Sequence, residues 1–308
     1  MRALVISTFG GPEVLELAEL ELPVPGPGEV RVRNQALAVH PADIAVRSGA
    51  VAAHLPEAPF HRLGWDVAGT VDAVGEGVTG FRPGDRVIGL SHWFATRNGT
   101  HAEFAVVAAD ALAPVPEELP IEKAAALPLN GLTARQSLDL AGLSEGQTLV
   151  VTGAAGNLGG YTTELAVRRG LRVIAVAGAG DRAFLTGLGA EFVERGPEAV
   201  AAIRALAPEG ADAAVDTALL GAELIAAVKA GGVFVTVRPN VGPAPERDVR
   251  VSVINVRPDG GELAELARLA ADGLLTVRVD SVHDLADAAA AHARLSTPGT
   301  RGAVLLTV

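Results

Sequence analysis

The chain has 308 residues, with 25 Lys and Arg against 36 Asp and Glu for a formal charge of -11, and no cysteine. Without any lysine- or arginine-rich cluster, this acidic balance argues against a nucleic-acid partner, and the lack of cysteine excludes disulfides, zinc-thiolate sites and thiol catalysis. No apolar run approaches the ~18 residues needed to cross a bilayer, and MRALVISTFGG leads directly into strand-like sequence, so the expectation is a cytoplasmic two-domain enzyme with no membrane partner.

Residues 1 to about 125 are rich in β-branched residues, glycine and proline. Glu29 to Arg33, Val67 to Val74, Asp85 to Ile88 and Phe104 to Val107 read as strands joined by the turns PGPGE, GEGVTG and RPGD. The charge run in EVLELAELELPVPGPGEV reads as the solvated face of a strand.

From about 126 to 257 strand and helix patterns alternate, which implies a parallel sheet with helices on both faces. Leu149, Val150 and Val151 form an apolar run of the kind buried on both faces. The turn Gly153, Ala154, Ala155, Gly156, Asn157, Leu158, Gly159 follows, and then a helix to Arg169 that ends before Gly170. Its glycines allow a sharp bend, close approach of a pyrophosphate and tight helix packing, and the helix N-terminus favours an anion. Further strands are expected at Val173 to Val176, Phe192 and Val193, Ala213 to Asp216, and Val233 to Val237.

The second of these strands closes as Val176, Ala177, Gly178, Ala179 and Gly180, without the acid that selects NADH by bonding the ribose 2′-hydroxyl. Arg182 follows, with Arg195 as a second cation, so NADPH is expected over NADH; Asp181 fits this only if it turns to solvent. The last fifty residues give helices at Gly261 to Ala271 and Leu285 to Leu295 and a strand at Ala303 to Val308.

Several segments in order resemble the medium-chain dehydrogenase/reductase superfamily, in its zinc-independent quinone oxidoreductase branch. They are HPADIAVRSG (40–49), LGWDVAGTVDAVGEGVTGFRPGDRVIG (63–89), GTHAEF (99–104), LPLNGLTA (127–134), GAAGNLG (153–159), VDTALL (215–220) and the terminal TRGAVLLTV. The resemblance implies an α/β protein. A GroES-like β-rich catalytic domain would span 1–125, completed by 258–308, and a Rossmann-type doubly wound cofactor domain would span 126–257. It further implies hydride transfer from NADPH to a quinone or an α,β-unsaturated carbonyl, and a homodimer built through sheet edges, which the segment RPNVGPAPERD after Val237 would obstruct. By position, Asn130 and Thr133 would lie near the nicotinamide half, Thr217 and Thr236 near ribose or phosphates, and Val256 along the pocket.

Two departures from the family pattern matter. Zinc-dependent relatives have a cysteine ligand where this chain has His40, and their Gly-His-Glu is here Gly64, Trp65, Asp66. His40 and Asp66 supply two ligands at most, short of the three a catalytic zinc needs, so no metal is expected. Quinone oxidoreductases also carry an asparagine at position 40 and often a tyrosine at 45, where this chain has His40 and Ala45. His40 either polarises or protonates an acceptor oxygen or packs against the cofactor. Ile44, Trp65, Trp93, Phe94 and the loop 51–59 are candidates for shaping the acceptor pocket. A carbonyl-reducing alcohol dehydrogenase and a non-catalytic dinucleotide-binding protein remain as alternatives.

Overall fold

The computed structural model describes residues 1–238 and 241–308. The chain forms two compact units, Met1–Leu129 with Arg257–Val308, and Asn130–Val256.

The first unit opens with β1 (Arg2–Ile6), β2 (Leu15–Glu19), β3 (Glu29–Asn34), β4 (Ala36–Val39), helix α1 (Pro41–Arg47), β5 (His61–Arg62), β6 (Asp66–Val74) and β7 (Arg86–Leu90). After these come the short helix α2 (Trp93–Thr96), β8 (Phe104–Ala108), β9 (Leu112–Pro114) and α3 (Ile121–Ala124). Five strands form an antiparallel sheet in the order β8-β3-β6-β7-β9. Period-two alternation decides its faces: Val30, Val32, Val67, Val71, Val87, Ala105, Val107 and Leu112 are buried together, while Arg31 and Arg33 point the other way. β2 exposes Glu16 on one face and Leu17 and Glu19 on the other, so its charge run is solvated.

α4 (Pro128–Ala141) leads into the second unit: β10 (Thr148–Thr152), α5 (Asn157–Arg168), β11 (Arg172–Ala177), α6 (Arg182–Gly187), β12 (Glu191–Glu194), α7 (Ala199–Leu206), β13 (Ala211–Asp216), β14 (Val228–Thr236) and β15 (Arg250–Val253). All neighbouring strands are parallel, in the order β12-β11-β10-β13-β14-β15. The first strand therefore lies in the middle and the winding reverses between β10 and β13, the doubly wound arrangement whose switch point is a ligand crevice. Val150, Ile174, Ala214 and Phe234 from four central strands are buried in its core.

The chain then returns to the first unit through α8 (Gly260–Ala271), β16 (Val279–Asp284), α9 (Ala288–Ser296) and β17 (Ala303–Thr307). β17 pairs antiparallel with β4 and parallel with β16. The single helix expected over Leu285 to Leu295 begins instead as a 3₁₀ turn, Leu285–Asp287, because Asp284 accepts from the Ala286 N–H at 2.8 Å and fixes a tight entry. Among the described residues no helix is long and apolar enough to cross a membrane.

Candidate functional site

The glycine turn stands at the carboxyl end of β10. Gly153 has φ +59°, a left-handed conformation that glycine adopts without cost. Gly156 caps α5 in an extended conformation, with its own N–H donating to Gly153 O at 2.8 Å and no side chain capping the helix. The amides of the first turn, at Asn157 and Leu158, are thus the orphan donors that suit an anion. A Cβ on Gly159 would lie 2.1 Å from Gly153 O, so α5 approaches the turn this closely only with glycine there. Ala154 and Ala155 are buried beneath the turn. This cradle fits a dinucleotide pyrophosphate.

The sheet register aligns the other strand ends of this unit: Thr152 pairs with Val176 and Asp216, and Asp216 pairs with Thr236. Thr217 reaches the turn, where a Cβ on Gly153 would lie 2.8 Å from its Oγ1. Thr236 is wholly buried one strand further on. Asn130 is half-buried and Thr133 is buried, both on α4, and Val256 is half-buried at the end of the unit. Gly178 follows β11, and a Cβ on it would lie 3.4 Å from Asp181 Oδ2 and 4.0 Å from Arg195 Nε. Asp181 is buried and faces this position, so it does not take the outward orientation that the NADPH expectation requires of it. Arg182 stacks its guanidinium 4.4 Å from the centre of the Phe192 ring, so Arg195 is the cation beside Gly178.

In the first unit, His40 occupies the N-cap of α1 and Pro41 its first helical position. The Asp43 carboxylate accepts from the His40 N–H at 2.8 Å and from the Gly64 N–H at 2.9 Å. This clamp joins the start of α1 to the chain just before β6. Gly64 is required there: its φ is +103°, and a Cβ would meet His101 N at 2.4 Å. The outcome is that His40 Nε2 lies 2.6 Å from Asp66 Oδ2, while Asp66 Oδ1 accepts from the Leu129 N–H at 3.0 Å.

Both members of this pair are buried. Burial opposes a charged imidazole, but the adjacent Asp66 carboxylate more than offsets it and holds His40 above the ordinary histidine range. Burial also pushes the Asp66 carboxyl up, against the pull of His40 and the Leu129 amide. The carboxylate favours a proton on the imidazole and burial favours one on the carboxyl, so the two buried groups are coupled in holding a proton between them.

Beside Asp66, Trp65 packs against Trp93 and Phe94 with ring centres 5.9 and 5.4 Å away. The two tryptophans are buried, and Trp93 Nε1 donates to Arg62 O at 2.9 Å; only Phe94 of this trio is exposed. The Arg97 guanidinium covers Trp93 and Phe94 at 5.1 and 5.3 Å. Ile44 is half-buried on α1.

A hollow in this unit lies away from these side chains. A cavity of about 670 Å³ is lined by Thr8, Phe9, Leu55, Glu57, Ala58 and His61, among others, and by none of Ile44, Trp65, Trp93 or Phe94. Phe9 and His61 stack on its wall, 5.8 Å apart and 13° from parallel. Part of the loop 51–59 lines this cavity together with Phe9 and His61, for which the sequence gives no pocket expectation. Their only sequence signal is an aromatic residue just beyond an apolar strand. Among the described residues no group of three or more His, Asp or Glu is arranged to hold a metal ion.

The alcohol dehydrogenase GroES-like domain family matches residues 26–117, and the zinc-binding dehydrogenase family matches 188–306. A quinone oxidoreductase of Mus musculus is 38% identical over 180 residues, 58% of this chain and 53% of that protein. The match thus spans about half the length of this curated relative. A solved NAD-dependent alcohol dehydrogenase is 36% identical, covers all of both chains and superposes with a TM-score of 0.87. A mycobacterial protein solved in complex with NADPH is 30% identical, again over both whole chains, with a TM-score of 0.84. The chain belongs to the medium-chain dehydrogenase/reductase superfamily, in its quinone oxidoreductase-like branch.

Proposed function

We propose that this chain is a dinucleotide-dependent oxidoreductase acting on a quinone or an α,β-unsaturated carbonyl, with NADPH preferred and without zinc. The observation that carries the reading is the glycine turn at the reversal of the β12-β11-β10-β13-β14-β15 sheet. When bound, the reduced nicotinamide supplies a hydride to an electron-poor carbon. The chain's own residues do the rest: Gly153 to Gly159 offer backbone donors and clearance, and Asn130, Thr133, Thr217, Thr236 and Val256 hold the positions the family uses around the dinucleotide. Arg195, supported by Arg182, is the cationic rim for a 2′-phosphate, and the NADPH-bound mycobacterial relative supports that choice. The inward Asp181 is the competing feature on the same rim.

His40 stands where the family motif places a polar group beside the nicotinamide. Its pairing with Asp66 keeps a proton there in a dry setting, suited to an oxygen that gains negative charge. Trp65 stands in the ligand-histidine position, and no thiolate exists in the sequence, which supports zinc-free chemistry.

One observation favours a second reading, reduction of a simple carbonyl: the full-length likeness to an NAD-dependent alcohol dehydrogenase. Carbonyl reduction in this superfamily relies on a Lewis acid, and the residues at the zinc positions argue against it. A homodimer is also proposed, since β15 is an edge strand with Val253 exposed on it. Of the segment that would obstruct that edge, Pro239 and Asn240 lie outside the described residues. Titration with NADPH and NADH, followed by a screen of quinones, enones and ketones for cofactor oxidation, separates these readings. Binding without turnover of any acceptor would leave only the non-catalytic alternative.

A further inference from the structure

One hydroxyl links the two strand ends between which the sheet reverses. Thr152 Oγ1, at the end of β10, donates to Asp216 Oδ1 at 2.6 Å and accepts from the Ala218 N–H at 3.0 Å. Both Thr152 and Asp216 are completely buried. The link is reciprocated: Thr217 Oγ1 donates to Thr152 O at 2.6 Å, the carbonyl immediately before Gly153. Asp216 accepts two more bonds, from the Leu220 N–H at 3.1 Å and the Gly221 N–H at 2.8 Å. These fold residues 217–221 back over their own strand and hold Leu219 at φ +61°, a conformation that leucine keeps only when its surroundings enforce it.

The network is additional to the backbone pairing of the sheet. β10 and β13 are already in parallel register through Thr152 and Asp216. What the extra bonds fix is the pair of segments beyond the sheet, the turn 153–159 and the loop 217–221, which are the two walls of the switch-point crevice. They meet closely, since a Cβ on Gly153 would lie 2.8 Å from Thr217 Oγ1.

We infer that Thr152 is a positioning residue for the dinucleotide: its hydroxyl sets the spacing between the glycine turn and the loop after β13, and Asp216 anchors the loop side of that link. The inference rests on the dinucleotide reading above. The requirement is chemical, because a single side-chain atom must both donate and accept. Serine meets it. Valine has nearly the same shape but leaves Asp216 Oδ1 without its hydroxyl donor and the Ala218 N–H without an acceptor, in a site closed to water.

The test compares Thr152→Ser, Thr152→Val and Asp216→Asn in the full chain. The readouts are the Kd for NADPH from nicotinamide fluorescence, the Tm of the ligand-free protein, and kcat and KM for NADPH. Thr152→Val is expected to raise Kd and KM by about tenfold, the scale of one lost buried hydrogen bond, with a smaller change in kcat, while Thr152→Ser retains wild-type affinity. Asp216→Asn, which puts an amide NH₂ where one N–H acceptor was, is expected to shift Kd in the same direction. It carries the test if Thr152→Val does not fold. A lower Tm with an unchanged Kd in the folded variant would overturn the inference and leave the network as a brace. A wild-type chain that binds neither NADPH nor NADH would overturn the dinucleotide reading itself, an outcome visible before any variant is made.

Discussion

His40 Nε2 and Asp66 Oδ2 lie 2.6 Å apart, with both side chains buried, although 26 positions separate them in the chain. The contact exists because Asp43 fastens His40, the N-cap of α1, to Gly64, two residues before Asp66. A buried pair of this kind is tight for a reason: removing one partner leaves an uncompensated polar group, typically at a cost of about 3–5 kcal/mol.

The first prediction concerns pH. His40 is held above its ordinary value by Asp66, so its proton is lost at a higher pH than that of a free imidazole, as pH rises through the raised value. If that proton serves the acceptor oxygen, kcat measured at saturating cofactor is full below the raised value and falls as pH rises through it. In Asp66→Asn the fall moves to lower pH. Identical pH profiles for the two proteins would separate the pair from the chemistry.

His40→Ala is expected to lower kcat by on the order of 10²-fold, the scale of a positioned acid or oxyanion donor. Affinity for the cofactor, measured by fluorescence titration, should hardly change. A variant that folds and turns over at the wild-type rate makes His40 a packing residue.

Acid sensitivity follows from a different histidine. His292, on α9, is fully buried and neither ring nitrogen has a hydrogen-bond partner among the described residues. Burial, with His101 and Arg47 nearby and only Asp43 opposing, lowers its pKa to about 4. An unfolded chain takes up this proton near 6.5 and the folded chain does not, so stability is intact above that value and declines as pH falls from 6.5 toward 4. The loss amounts to on the order of 3 kcal/mol across that window. Urea unfolding at pH 7 and pH 5 measures it, and His292→Leu should lose less than the wild type does between the two.

On the cofactor rim, Arg195→Ala should weaken NADPH by about ten- to a hundredfold and leave NADH nearly unchanged, since a charge-assisted phosphate contact is worth roughly 1.5–3 kcal/mol. Arg182→Ala should have the smaller effect, because its guanidinium is already stacked on Phe192. Equal losses for both cofactors in Arg195→Ala would show that this rim does not read the 2′-phosphate.

Periodic features were legible in the sequence. The apolar run at Leu149 to Val151, the three glycines and the helix ending before Gly170 fixed β10, the turn and α5 almost to the residue, because each depends on local backbone chemistry. What the sequence did not show were contacts between distant side chains. Nothing near Thr152 announces that its hydroxyl bonds Asp216, and nothing near Asp181 tells whether its carboxylate turns inward. Trp65 and Trp93 illustrate the same limit, since an aromatic residue in a β-rich segment looks alike whether it packs a core or lines a pocket.

The central claim is zinc-free hydride transfer to a conjugated acceptor, and the most direct measurement is NADPH oxidation by the protein after exhaustive treatment with a metal chelator, followed with a panel of quinones and enones. The account predicts that at least one quinone or enone is reduced mole for mole with NADPH oxidised, at a rate the chelator does not change. Turnover that disappears on chelation and returns only with zinc, with a simple ketone or aldehyde as the acceptor, would contradict it.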